Sequence, residues 1–142
     1  WFSYDDWLRM IDDLERIVKF LKKKGIYEDK IGLIGASLGA NVCLNYAARN
    51  SEIPLCVLLS AGLRYQSISI KDEIKKFRNR KLLLLASPFD KYAYQSCKIL
   101  FKIAKDSGSN VEFIEGIGTL HGVNMFKKGI DKKIIEWLKK NT

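Results

Sequence analysis

Thirteen residues, Lys30 to Val42, constrain this chain more than any other stretch. Ile31 to Ile34 is an apolar run that reads as a buried strand. Gly35-Ala36-Ser37-Leu38-Gly39 follows and fits G-x-S-x-G. A helical pattern rich in small residues begins at once. Strand, sharp turn, serine and helix together give this short motif a mechanism, because the turn pushes the hydroxyl out above the sheet. Glycines at 35 and 39 are expected because a Cβ at either place would collide with the neighbouring strand or helix. The helix that follows aims its N-terminus at the same spot, so the Leu38 N–H can face a developing oxyanion. A phosphate-binding loop is disfavoured: no Gly-Lys-Ser/Thr ending follows, and the glycine spacing is not G-x-G-x-x-G.

The rest of the chain repeats the alternation. Ser3-Tyr4-Asp5-Asp6 reads as a capping box. The helix after it carries Trp7, Leu8, Ile11, Leu14, Val18 and Leu21 on one stripe. Its acidic residues come early and its lysines late, as the helix dipole favours, and Gly25 is its stop. The helix after Ser37 should end near Asn50-Ser51. Leu55 to Leu59 is a second buried strand, ending in Ala61-Gly62. Leu63 to Ile70 reads as a loop and Asp72 to Phe77 as a short charged helix. Lys81 to Ala86 is the third strand, stopped by Ser87-Pro88-Phe89-Asp90. A helix over Tyr92 to Asp106 turns Cys97, Leu100, Phe101 and Ala104 inward. Val111 to Ile114 is the fourth strand, Glu115 to His121 a loop, and Gly129 to Lys140 the last helix, burying Ile130, Ile134, Trp137 and Leu138. Apolar strands alternating with amphipathic helices predict an α/β fold: one domain over 1–142, a mostly parallel sheet covered by helices on both faces.

Composition removes several function classes. A net charge of +9 would suit nucleic acid or an anionic surface. Its lysines, however, are spread over every helix but the one after Ser37, without an arginine-rich stripe, so a solvated coat is the better reading. No apolar run approaches the ~18–20 residues that cross a bilayer. Cys43, Cys56 and Cys97 are odd in number and lie in apolar segments, which suits buried thiols in a reducing, cytoplasmic compartment. A single histidine and no Cys/His cluster leave no zinc site, and no cofactor is implied.

In parallel α/β sheets ligands bind beyond the C-terminal strand ends. Ser37, Asp90 and His121 each fall just past such an end, which puts them on one edge. His121 is then the candidate base for Ser37, and Asp90 the group that orients it. Glu115 and Asp72 are the fallback acids. The structural alternatives are a helix N-cap for Asp90 and a packing role for the histidine. Leu63, Tyr65, Tyr92, Met125 and Phe126 are the pocket candidates on this edge, with ordinary packing as the alternative for each.

Taken together, Gly35-Ala36-Ser37-Leu38-Gly39, Ser87-Pro88-Phe89-Asp90 and His121-Gly122 resemble the α/β-hydrolase superfamily, especially its dienelactone-hydrolase-like and esterase/acyl-peptidase-like branches. The chain order Ser, Asp, His is the order of that superfamily. The resemblance implies a serine hydrolase acting on a small acyl ester through Ser37, His121 and Asp90, with thioesterase or peptidase chemistry as alternatives. It also implies several strands ahead of the nucleophile strand, and a loop there that supplies a second oxyanion donor. Only one helix precedes Ile31 here. The expectation is therefore a hydrolase fold lacking its N-terminal strands, with Ile31 to Ile34 as an open apolar edge. That edge would pair with a preceding segment, a second chain or a second copy. A non-catalytic subunit that binds a partner through the edge is the rival expectation.

Overall fold

Four apolar runs become one parallel sheet in the computed structural model, which describes residues 1–142. The strands are β1 (Gly32–Ala36), β2 (Leu55–Leu59), β5 (Lys81–Ala86) and β6 (Asn110–Glu115), in the spatial order β1-β2-β5-β6. Every pairing is parallel, and β2 is buried along its whole length. A parallel pair needs a crossover. α2 (Leu38–Arg49) joins β1 to β2 and α3 (Lys91–Asp106) joins β5 to β6, whereas residues 60–80 join β2 to β5 without an α-helix; α1 (Tyr4–Lys23) precedes the sheet and α4 (Ile130–Asn141) closes the chain.

Side-chain alternation divides the core in two. Leu33, Cys56, Leu58, Leu82 and Leu84 point to the face packed by α1, α2 and α3. Val57, Leu59, Leu83 and Leu85 point to the other face, where Ile130, Ile134 and Trp137 of α4 meet them. All three cysteines are buried and free. The capping box at Ser3 forms in both directions, and Gly25 follows α1 at φ +82.

Several local expectations are revised. The segment Leu63 to Ile70 is not a plain loop: β3 (Arg64–Tyr65) and β4 (Ile68–Ser69) form a small antiparallel hairpin. The charged helix is a 3₁₀ turn over Glu73–Lys76. A further 3₁₀ segment, Gly122–Lys128, fills the gap between His121 and α4. No helix is long and apolar enough to cross a membrane.

The two ends of α2 are held differently. At its C-terminal end the Arg80 guanidinium donates to the carbonyls of Ala47, Asn50 and Ile53 at 2.8–3.1 Å. Ala47 O and Asn50 O each also accept a backbone N–H, from Asn50 and Ile53, so the guanidinium ties the helix end to the turn that follows it. The nearby cleft of about 540 Å³, lined by Lys30, Glu52, Arg80 and Lys81, lies at the N-terminal ends of the strands, away from Ser37. β1 is an edge strand, and Ile34 on it is half exposed. Met10, Leu14, Ile17, Ile34 and Val42 line an apolar groove of about 350 Å³ along that edge.

Candidate active site

Ser37 stands between β1 and α2 with φ +54 and ψ −124. A non-glycine residue at positive φ is strained, and such strain persists only where the surroundings enforce it. Here the Ser37 N–H donates to Leu59 O at 2.8 Å, tying the turn to the end of β2. Gly35 makes the turn possible: a Cβ there would sit 2.3 Å from Gly39 O and 2.7 Å from Ala40 N, both backbone atoms. The matching expectation for Gly39 fails, because a Cβ at Gly39 meets nothing within 4 Å. One glycine of the motif is required by contact within this chain, and the other is not.

Asp90 and His121 are brought together. The Nδ1–H of His121 donates to Asp90 Oδ2 at 2.6 Å, with the carboxylate side chain 17% exposed and the imidazole 42%. A carboxylate only accepts, so the bond fixes the proton on Nδ1 and leaves Nε2 as the free acceptor. Asp90 does occupy the N-cap position of α3, but its side chain makes no capping bond there. The two fallback acids are engaged elsewhere. Glu115 accepts from the Tyr94 hydroxyl at 2.6 Å, and Asp72 pairs with Lys75 at 2.8 Å. Asp90 is the only hydrogen-bond partner of the imidazole. A bond from a serine hydroxyl to its base commonly tightens only with substrate in place.

The pocket candidates separate into different environments. Tyr65 is half-buried with its ring edge-on to His121, 6.4 Å between centroids at 87°. Its hydroxyl donates to Ser60 O at 3.0 Å. Burial, reinforced by the negative charge of Asp90, pushes the Tyr65 hydroxyl up to about 12, while the neighbouring Ser37 hydroxyl pulls the other way. Tyr65 therefore stays a neutral donor at any ordinary pH. Tyr92 packs against it at 5.6 Å, and its hydroxyl donates to Arg64 O at 2.6 Å. Gly62 lies under both rings: a Cβ on it would meet Tyr65 and Tyr92 atoms at 2.8 Å. Leu63 is partly buried against the α2 side of the core. Phe126 is exposed. Met125 is fully buried among Leu59, Leu85 and Ile130, so it is a core side chain rather than a pocket wall. Leu38 is the first residue of α2, so its N–H has no partner within the helix.

Two residues that sequence reasoning passed over hold this arrangement. Asn41, fully buried on α2, donates to Gly62 O at 2.9 Å and Ile68 O at 3.0 Å and accepts from Gly62 N at 3.2 Å. It ties the chain just ahead of β3 and the first residue of β4 to α2, and so holds the hairpin that carries Tyr65. Ser60 is the other. The available signal was slight: an asparagine in the first turns of a largely apolar helix, and a serine closing a wholly apolar strand.

Solved structures share the fold whose strand order puts the serine turn and the bonded Asp90 and His121 on one edge. The chain has the α/β-hydrolase fold. A SOBER1 variant from Arabidopsis thaliana superposes with a TM-score of 0.70 at 16% identity, over 98% of this chain and 66% of that one. A hormone-sensitive lipase from a metagenome library gives 0.71 at 15% identity, over 93% of this chain and 61% of its own. A carboxylesterase from Mesorhizobium loti gives 0.66 at 16%, over 97% and 63%. The chain thus spans less than two thirds of the length of these hydrolase-fold proteins. No protein-family profile and no curated protein matches the sequence.

Proposed function

We propose that this chain carries the catalytic apparatus of a serine hydrolase that cleaves a carboxylic ester through an acyl-enzyme. The observation that carries the reading is the 2.6 Å Asp90–His121 bond on the same sheet edge as a strained serine turn. In this reading Ser37 Oγ attacks the substrate carbonyl carbon and passes its proton to His121 Nε2. Asp90 stabilises the imidazolium without taking the proton. The Leu38 N–H donates to the oxyanion. Collapse of the tetrahedral species breaks the carbon–oxygen bond, and the imidazolium protonates the departing alcohol. Water then repeats the sequence on the acyl-Ser37 ester. Thioester or peptide cleavage uses the same residues, and the esterase and lipase fold relatives favour the ester. The test is a fluorophosphonate probe followed by intact mass. The wild-type chain gains one adduct, at Ser37, and Ser37→Ala gains none. An unlabelled wild-type chain overturns the reading.

A second reading concerns a partner. The unpaired edge of β1, half-exposed Ile34 and the apolar groove beside it favour pairing with one more strand. We propose that a polypeptide segment outside these 142 residues supplies that strand, and with it the second oxyanion donor. Removal of one such donor typically costs ~10²–10³-fold in rate. Ester turnover by the 142-residue chain should therefore be slow, and a co-expressed strand-bearing segment should raise it. Ile34→Lys should abolish that gain. A homodimer by light scattering, lost in Ile34→Lys, would replace the segment with a second copy.

A further inference from the structure

Ser60 follows the last residue of β2 and is fully buried. It makes three hydrogen bonds to three different parts of the edge. Its N–H donates to Leu85 O at 2.7 Å, at the end of β5. Its carbonyl accepts from the Tyr65 hydroxyl at 3.0 Å. Its Oγ accepts from the backbone N–H of Gly122, the residue after His121, at 2.8 Å. One residue earlier, Leu59 O holds the Ser37 N–H. The tip of β2 is thus where the serine turn, the tyrosine hairpin and the histidine loop are fastened to one another.

The backbone of Ser60 supports a specific purpose for its hydroxyl. Its φ is +50, a left-handed conformation in which a serine is strained and a glycine is not. A turn needing only that conformation is better served by glycine. The serine supplies what glycine lacks, an acceptor for a buried N–H. Gly122, itself at φ +55, is buried, and a Cβ on it would lie in ordinary contact, at 3.5 Å, with the Ala36 side chain at the end of β1. The loop that presents His121 therefore lies beside the end of β1 and is tied to the end of β2 by Ser60.

We infer that Ser60 is a positioning residue, whose hydroxyl holds Gly122 so that the His121 imidazole is kept in register with Asp90 and Ser37. It acts through the loop and never touches substrate. Its importance to turnover rests on the proposed serine-hydrolase reading, but its effect on the imidazole does not.

Ser60→Gly separates positioning from simple stability. It removes the acceptor and relieves the strained φ, two effects on folding that oppose each other. His121 is the only histidine, so its imidazole resonances need no assignment. The wild-type protein should show one strongly downfield Nδ1 proton, from the bond to Asp90, with slow exchange into water. In Ser60→Gly that proton should exchange about tenfold faster or vanish, at an unchanged melting temperature, with at least a tenfold slower fluorophosphonate reaction at Ser37. Ser60→Ala should lose the same signal. A Ser60→Gly protein whose Nδ1 signal and exchange match the wild type overturns the inference. If the wild-type chain is not labelled, the hydrolase reading fails and the proton signal still decides the role of Ser60.

Discussion

Replacing Asn41 with alanine should be among the most damaging single changes outside the apolar core. Its amide makes three buried hydrogen bonds, to Gly62 N, Gly62 O and Ile68 O, at 3.2, 2.9 and 3.0 Å. Each such bond is worth ~1 kcal/mol net, and a buried backbone group left unpaired adds a further desolvation penalty. The sum for Asn41→Ala is ~3–5 kcal/mol, against a total of ~5–15 kcal/mol for a typical domain. Asn41→Asp should be worse: it turns a donor into an acceptor facing two carbonyls and brings a charge into the interior. Asn45, one turn along the same helix, is the control. Its Nδ2 reaches Ser69 O only at 3.4 Å, and its Oδ1 has no partner, so Asn45→Ala should cost under ~1 kcal/mol. Urea unfolding followed by circular dichroism at 222 nm measures all three. An Asn41→Ala loss no larger than that of Asn45→Ala would refute the clamp.

Two further outcomes follow from the same geometry. Gly35→Ala forces a Cβ into the backbone of Gly39 and Ala40, so it should cost ~3 kcal/mol or more and abolish labelling of Ser37, whereas Gly39→Ala should leave the fold intact; equal melting temperatures for the two variants would contradict this. Burial raises the thiol of Cys43 from 9.0 to about 11 and that of Cys97 from 9.0 to about 12. In the unfolded chain the thiols deprotonate near 9, while the folded chain keeps the protons. The unfolded state therefore binds fewer protons above that pH, and stability falls as pH rises. At ~1.4 kcal/mol per pH unit the Cys43 window costs up to ~3 kcal/mol. Cys43→Ala should flatten the decline of urea-derived stability between pH 8.5 and 11, and an unchanged slope would show that the thiol plays no part.

The layout of the sheet was legible because its signals are local. Leu55 to Leu59 and Lys81 to Ala86 are apolar runs of strand length, and each is followed by an amphipathic helix or a turn. The rule that loops past strand ends gather on one edge then brought Asp90 and His121 together from 31 residues apart. The fine structure of the edge was less legible. The hairpin at Arg64–Tyr65 and Ile68–Ser69 is two residues wide and is held to α2 by Asn41, a tertiary contact that no local pattern carries. Met125 stood among the pocket candidates on this edge with core packing as its alternative, and the 3₁₀ segment turns it into the core. Gly39 shows that a motif position can be glycine without a contact in this chain requiring it. Ser60 escaped because nothing in a serine announces a positive φ.

The grip of Arg80 on the far end of α2 has a mechanical consequence. A 12-residue helix is ~18 Å long, so it acts as a lever with the serine turn at its tip. Pivoting it by ~5° about the guanidinium would swing that tip by ~1.6 Å, several times the ~0.5 Å within which reacting groups must be held. The aim of the hydroxyl is thus set partly at the opposite pole of the molecule, by an arginine at the other end of the helix from Ser37.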